Sequence, residues 1–288
     1  MPGSSSRLAG GVTLAILLLG SAGAAAQQIP FSQRPFSETT IRPNGQPVIP
    51  IYDGWYANAD GTFTICFGYF NLNTEQAFDV PLGPANRIEP AEYDGAQPTR
   101  FDPVPDPTLT NKYRHHWCVF TVQVPADFGD RRVVWVLSTQ GEDLSVPGHL
   151  LPAYVLEERT SPGRGAEAPR IRLAEAEPQA YGRNGLTAAR TVAVDEPLEL
   201  AVWVEHPEPG TWLGWTKHQG DGDVSFTATE VIVADSIGRG ITTARFAAPG
   251  NYLLRVQAIN DPGPRNPTYG FEFHCCWTNA YVRVSVTP

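Results

Sequence analysis

The segment Leu198-Glu-Leu-Ala-Val-Trp-Val204 places Leu198, Leu200, Val202 and Val204 on one side of an extended chain. A period of two with apolar residues on one side predicts a β-strand with one buried face. Similar segments recur through the second half of the chain, at Asp223–Ala228, Thr242–Phe246, Asn251–Ala258 and Asn279–Val286. Because no amphipathic helix interrupts strands at roughly 10–20-residue spacing, the second half is predicted to be a β-sandwich.

The first half of the chain carries the same strand signal. Aromatic and aliphatic residues occupy alternate positions over Thr62–Phe70, and further strands are predicted over Trp117–Val124 and Arg132–Ser138. Residues 80–109 are rich in Pro, Asn and Gly, which predicts long connecting loops. Together these segments indicate a second sandwich over about residues 49–157.

Part of the second half resembles a known family. The matching pieces are Trp215 two residues before Lys217, the turn Gly220-Asp-Gly222 before Val224-Ser-Phe226, and Phe246-Ala-Ala-Pro-Gly-Asn-Tyr252-Leu-Leu-Arg before Ala258-Ile-Asn-Asp261. Over about residues 190–288 this order is similar to immunoglobulin-like domains of the polycystic-kidney-disease (PKD) type in secreted bacterial proteins. The resemblance implies an immunoglobulin-like sandwich and almost nothing about chemistry, because such domains serve as spacers, adhesion modules and accessory domains. The insertion of residues 262–277 departs from the pattern, and the N-terminal half resembles no family.

The fold class expected from the whole chain is all-β, with two immunoglobulin-like β-sandwich domains in tandem. Composition shifts to Ala, Glu, Arg, Pro and Gly between the two halves, which predicts a linker there. The predicted divisions are a signal peptide at 1–26, an extended segment at 27–48, a sandwich at 49–157, a linker at 158–189 and a second sandwich at 190–288.

The N-terminus has the order of a secretory signal peptide. A single cation, Arg7, precedes the apolar run Val12–Gly20, and small residues end at Ala24-Ala-Ala26. The apolar run is far shorter than the ~20 residues that span a bilayer, so the chain is not expected to span a membrane. We therefore expect cleavage near Ala26 and a periplasmic or secreted protein of a Gram-negative-type bacterium.

Composition disfavours a nucleic-acid partner. The 288-residue chain has a formal net charge of −9, and Lys112 and Lys217 are its only lysines. Binding to phosphate backbones requires clustered basic residues, which this chain lacks. Hydrophobic residues make up 42% of the sequence, enough for a substantial core. The sequence does not indicate an oligomeric state.

The four cysteines of an exported protein are expected to form disulfides. Cys66 and Cys118 lie in two predicted strands of one sandwich, so their pairing is the simplest arrangement. Cys275 and Cys276 are adjacent, and could form a vicinal disulfide, stay as two thiols or link elsewhere. Pairing of the first two cysteines with the last two, which would join the domains covalently, is the remaining alternative.

A metal site is the competing interpretation of the same residues. Two segments place imidazole and thiol groups close together: His115-His116-Trp-Cys118 and His274-Cys275-Cys276. Such ligands suit copper or zinc if they converge. However, neither segment has the spacing of a recognised metal motif, and strand alternation separates His115 from His116 and Cys118.

One aromatic cluster suggests a binding surface. Trp212 lies in a Pro/Gly-rich segment near His218, so we expect it to be exposed and able to stack on a sugar or contact a protein. Trp215 is expected in the core by the family resemblance. Packing in the core or under a loop is the competing explanation for the cluster.

No catalytic motif accompanies these features. The chain has no G-x-S-x-G elbow, no P-loop and no G-x-G-x-x-G after a strand. The sequence therefore favours an exported, non-enzymatic binding or structural module without a cofactor, with a protein or polysaccharide partner. The alternative is a periplasmic copper- or zinc-binding protein or enzyme that uses the histidine and cysteine clusters.

Overall fold

The computed structural model describes residues 42–103, 115–156, 160–161, 166–260 and 276–288. The predicted signal peptide of 1–26 and most of the extended segment of 27–48 lie outside these residues, as do His274 and Cys275. Within the described part of the chain, no helix is long and apolar enough to cross a membrane.

The N-terminal half forms two small antiparallel sheets. Its strands are β1 (Val48–Ala57), β2 (Phe63–Asn71), β3 (Phe78–Asp79), β4 (Asn86–Glu89), β5 (Arg100–Phe101), β6 (His115–Val124), β7 (Val133–Thr139) and β8 (Glu142–Gly148). The sheets have the orders β1-β2-β6 and β4-β7-β8, and β3 pairs with β5. Short 3-10 turns lie at Ala91–Tyr93 and Pro152–Tyr154.

Aromatic side chains fill the space between these two sheets. Trp135 of β7 is completely buried and meets Phe120 edge to face, while Phe67 stacks on Phe120. The indole N–H of Trp135 donates to the buried amide of Asn86 at 3.0 Å. Asn86 in turn donates to the carbonyls of Val80 and Pro98 at 2.9 and 2.8 Å. One buried amide therefore fixes both ends of the loop that follows β3 against the core.

The other twelve strands of the described residues lie in the C-terminal half. They are β9 (Thr160–Ser161), β10 (Ala166–Glu167), β11 (Arg170–Arg172), β12 (Ala180–Tyr181), β13 (Thr187–Ala193), β14 (Leu198–Glu205), β15 (Thr211–Gln219), β16 (Val224–Phe226), β17 (Glu230–Val233), β18 (Ile237–Phe246), β19 (Gly250–Ile259) and β20 (Trp277–Thr287). Two five-stranded sheets have the orders β12-β11-β14-β18-β16 and β13-β20-β19-β15-β17. Strands β9 and β10 form a separate pair.

The strand order of the C-terminal half is that of an immunoglobulin-like sandwich. Strands β11, β14, β18 and β16 correspond to A, B, E and D of that fold, and they face strands G, F and C, which are β20, β19 and β15. Trp215 on β15 is buried in the core. Tyr252 at the start of β19 donates from its hydroxyl to the carbonyl of Ala248 at 2.8 Å, as in the tyrosine corner of such domains. The all-β, two-sandwich fold is confirmed.

The segment predicted as a linker, residues 158–189, needs a correction. Strands β11 and β12 and the start of β13 lie within it, and β11 pairs with β14 over Arg170–Arg172. Ile171 and Leu173 are buried in the C-terminal core. These two apolar residues stand alone among Pro, Gly and charged neighbours, so the sequence shows too little periodicity to reveal the strand.

Candidate functional site

One face of the C-terminal sandwich is covered by the N-terminal sandwich. Along β19, Leu254 and Val256 point into the core, so Arg255 between them points outward. Arg255 is nevertheless only 6% exposed. The outward side chains of β15, β19 and β20 lie against the loops and strand β6 of the other half. We call this contact region the junction; both sandwiches belong to one compact unit.

An apolar cluster lies at one end of the junction. It combines residues that both sandwiches contribute: buried Tyr56, Cys66, Cys118, Ile259 and Trp277, with partly buried Trp117, Leu156 and Trp212 around them. Beside it, the hydroxyl of Tyr56 donates to the side-chain oxygen of Asn184 at 2.7 Å. The cluster makes this end of the junction resemble a domain core.

Backbone hydrogen bonds join the other end of the junction. The N–H of Thr99 donates to the carbonyl of His218 at 2.8 Å, and Nε2 of His218 donates to the carbonyl of Ala96 at 2.9 Å. The Gln219 amide donates to the carbonyls of Gly95 and Gln97 at 2.9 and 2.7 Å. The loop before β5 therefore lies along the last residues of β15.

Ion pairs extend this polar contact. Nζ of Lys217 lies 2.8 Å from Asp79, whose second oxygen lies 2.6 Å from Arg100. Arg100 also contacts Asp102 at 2.7 Å. Burial alone would raise the pKa of Asp79, but hydrogen bonds from Lys217 and Arg100 outweigh that effect and lower it. Lys217 is the one lysine of the C-terminal half, and its side chain is 7% exposed. Its ion pair with Asp79 links the two sandwiches.

Two β-bulges lie in the sheet β1-β2-β6 of the N-terminal sandwich. The register of β1 on β2 shifts at Asp53, and the register of β2 on β6 shifts at Gly68. One oxygen of Asp53 accepts from the backbone N–H of Cys118 at 2.6 Å, and the other lies 2.9 Å from Nε2 of His115. A Cβ on Gly68 would collide with the Asp53 carboxylate and the carbonyl of His116. Because Gly68 has no side chain, the Asp53 carboxylate of β1 can extend over β2 and reach Cys118 and His115 of β6.

The disulfide between Cys66 and Cys118 links β2 to the bulge of β6. It joins residues 52 apart in sequence, with Cα atoms 5.0 Å apart. This is the simplest of the predicted pairings, and it excludes a link from either residue to Cys275 or Cys276. Cys276 is also disulfide-bonded, and its partner is not among the described residues. The structure therefore leaves no free thiol in the described part of the chain.

Arg255 is the charged group at the centre of the covered face. Its Nε and Nη2 both donate to the side-chain oxygen of Asn279, at 3.2 and 3.0 Å. No carboxylate of the described residues lies within ion-pairing distance of it. Burial lowers the pKa of Arg255. Asn279 also donates to the carbonyls of Arg183 and Cys118, so the same amide joins the guanidinium to the bulge of β6.

Two histidines are buried close to this arginine. His116 stacks on Tyr69 with ring centroids 4.4 Å apart. Burial and the charge of Arg255 lower the pKa of His116 to about 3, and burial lowers that of His218 to about 4. Nε2 of His116 is buried and makes no hydrogen bond to the residues that the structure describes. Both imidazoles are therefore neutral at neutral pH.

The structure separates the predicted metal ligands. His115 lies against Asp53 and the ring of Trp117, whereas His116 lies on the opposite side against Tyr69. No group of three His, Cys, Asp or Glu residues that could hold a metal ion exists among the described residues. Because Cys276 is oxidised, its sulfur is not a thiolate ligand. Copper or zinc binding stays a prediction, and its residues His274 and Cys275 lie outside the described part.

The predicted aromatic surface is wrong in its placement. Trp212 lies in β15 instead of a loop, and its ring is half-buried in the apolar cluster, over Gly214. His218 is 2% exposed. The strand begins at Thr211, directly after Gly210, so the Pro/Gly segment is shorter than its composition suggests. Trp212 and His218 therefore belong to the junction and do not form an exposed binding surface.

Sequence reasoning missed Asp53, Gly68, Arg255 and Asn279. Each is a single polar or glycine residue within a strand, where an outward-facing, solvated position is the usual explanation. A glycine in the middle of the aromatic strand Phe63–Asn71 is the one signal that could have indicated a bulge or a close approach.

Comparisons with known proteins do not assign the chain to a family. No family model and no curated protein matches it. Among solved structures, the D0-D1 domains of intimin are 14% identical over 83% of this chain and 97% of theirs, with a TM-score of 0.25. Domains 4 and 5 of the S-layer protein SbsC are 11% identical over 55% of this chain and 66% of theirs (TM-score 0.25). PapD-like domain 7 of human CEP192 is 10% identical over 48% and 97% (TM-score 0.28). At such TM-scores the fold assignment rests on strand order alone.

Proposed function

We propose that this protein is a non-catalytic structural or binding module that acts outside the cytoplasm, and that its two sandwiches work as one rigid unit. The observation that carries the proposal is the covered face of β15, β19 and β20. In a flexible pair of domains such a face would be exposed to solvent, and its outward side chains would be polar. Here Trp277 is 1% exposed and packs beside the Cys66–Cys118 disulfide of the other half.

The nature of the junction supports rigidity. Domains of one chain usually move relative to each other unless their interface is large and apolar. This junction has an apolar cluster at one end and, at the other, direct hydrogen bonds from His218 and Gln219 with an ion pair from Lys217. Separating the sandwiches would expose the apolar cluster to water and break these hydrogen bonds and the ion pair. Because both changes cost free energy, they oppose hinge motion.

The disulfide supports a location outside the cytoplasm. Structural disulfides persist in oxidising compartments and are rare where thioredoxin and glutathione keep thiols reduced. Cys66 and Cys118 are fully buried, as expected of a structural bond. Together with the predicted signal peptide of 1–26, this favours a periplasmic or secreted protein.

We further propose that the C-terminal sandwich is of the PKD type. The core position of Trp215 and the corner formed by Tyr252 support this finer assignment. A protein or polysaccharide partner is our expectation. We expect this partner to bind the outer face of β14 and β18, where Ile237 is 76% exposed and Arg239 lies over the ring of Trp203.

Calorimetry of the exported protein tests the rigid unit. One cooperative unfolding transition is expected for the wild type. Gln219→Ala removes two hydrogen bonds across the junction and should lower the transition temperature or split the transition in two. Gln123→Ala, which removes an exposed amide bonded to Thr62 within one sandwich, is the matched control. Two separate transitions in the wild type would contradict the proposal, as would catalytic turnover in an activity screen.

A further inference from the structure

Arg255 has no counter-charge among the residues that the structure describes. Moving a guanidinium from water into a protein interior costs several kcal/mol unless an anion pairs with it. Arg255 is 94% buried, yet its only acceptor among the described residues is the neutral oxygen of Asn279. Nη1 makes no hydrogen bond to these residues.

The carboxylates of the junction already have other partners. One oxygen of Asp53 accepts from the N–H of Cys118 and the other lies 2.9 Å from Nε2 of His115, while Asp79 and Asp102 pair with Arg100. None of them is within ion-pairing distance of Arg255 in the described part of the chain. In the described part of the chain, the hydrogen-bond partner of this buried cation is therefore a neutral amide.

A second buried polar group lies on the other sandwich. His116 belongs to the N-terminal sandwich, and it lies close enough to Arg255 for that cation to disfavour its protonation. Its Nε2 is buried without a hydrogen-bond partner among the described residues. Arg255 on one sandwich and His116 on the other are thus both buried without a charged partner among the described residues.

We propose that Arg255 is the centre of a binding site for a small oxyanion, of the phosphate or carboxylate class, at the junction of the two sandwiches. The planar guanidinium fits such anions because its N–H groups bind two oxygens at once. An anion bound there contacts both halves of the protein. Binding therefore stabilises the junction. This goes beyond the proposed rigid unit, which does not itself require a ligand.

Calorimetric titration of the full-length mature protein at constant ionic strength tests the site. Inorganic phosphate and acetate are the two probes, and saturable binding of one anion per chain by either supports the site and identifies its class. We expect Arg255→Gln to weaken binding at least tenfold and Arg255→Lys to weaken it less. Arg283→Gln removes an exposed arginine from the adjacent strand β20, opposite Leu253, and should bind like the wild type.

Two results would overturn the proposal. One is the absence of saturable binding of both probes by the wild type up to concentrations on the order of 10 mM. The other is equal binding by the wild type and Arg255→Gln. If Arg255→Gln does not fold, the wild-type titration and Arg255→Lys decide the question. A single unfolding transition measured without either anion keeps the rigid-unit proposal intact even if the site fails.

Discussion

The carboxylate of Asp53 on β1 accepts a hydrogen bond from the backbone N–H of Cys118 on β6, at 2.6 Å, across the strand that separates them. Cys118 has a left-handed backbone with φ of 41°, uncommon for a residue other than glycine. The hydrogen bond and the disulfide to Cys66 hold this bulge in one conformation. The bulge in turn presents its backbone to Asn279 and Tyr281 of the other sandwich.

Gly68→Ala should be among the most destabilising single methyl additions in the N-terminal sandwich. The new Cβ would collide with the carbonyl of His116 and the carboxylate of Asp53, both of them fixed by the sheet. We expect a loss of about 2–4 kcal/mol in the free energy of unfolding, measured by urea denaturation. Gly141→Ala, which has open space but a φ of 79°, is the control. An equal or smaller loss for Gly68→Ala would contradict the bulge geometry.

Removing the disulfide with Cys66→Ala and Cys118→Ala together should destabilise the protein by about 2–4 kcal/mol, because the unfolded chain regains the freedom of a loop of 52 residues. Denaturation of the double variant isolates this bond, whereas a reducing agent also opens the disulfide of Cys276. An unchanged unfolding midpoint would show that the bond does not constrain the chain.

Stability should fall as pH decreases from about 6.5 to about 4, and His218 should cause part of the fall. Its pKa is lowered to about 4 in the folded protein by burial, from 6.5 in an exposed side chain. The unfolded chain therefore binds a proton first, and the folded state loses up to about 3 kcal/mol across this range. Urea denaturation at several pH values should show a shallower decline for His218→Gln than for the wild type.

Tyr252→Phe should cost about 1 kcal/mol in unfolding free energy, because it removes the hydroxyl bond to the carbonyl of Ala248 and leaves the ring on Phe246. Tyr154→Phe, at an exposed tyrosine, should be neutral within about 0.5 kcal/mol. Thermal or urea unfolding compares the two directly, and equal effects would show that the corner contributes nothing.

The strands of the fold were visible in the sequence wherever one face is buried and the other is polar. Leu198–Val204 alternates because its even positions pack in the core, and the structure places β14 at Leu198–Glu205. Strand β11 was hidden, since three residues cannot display a period. The order of the strands in each sheet could not be predicted, because it depends on pairing between segments that are distant in the sequence.

The junction could not be predicted for a related reason. On β19 the outward residues Arg255 and Gln257 have the composition of a solvated face, and nothing in the segment shows that a second sandwich covers them. The same applies to Trp212, whose Pro/Gly surroundings suggest a loop. Cys66 and Cys118 were predictable as a pair because export and strand placement limit their partners.

The junction also depends on the last strand of the chain. Strand β20 completes one sheet of the C-terminal sandwich by pairing with β13 and β19, and it carries Trp277, Asn279 and Tyr281 to the other half. Among the described residues, the largest apolar cluster of the N-terminal sandwich comes from residues up to Leu150. Because a chain is synthesised from its N-terminus, we expect this core and its disulfide to form first. The strand starting at Trp277 is made last, and it then packs against the bulge of β6 that is already folded.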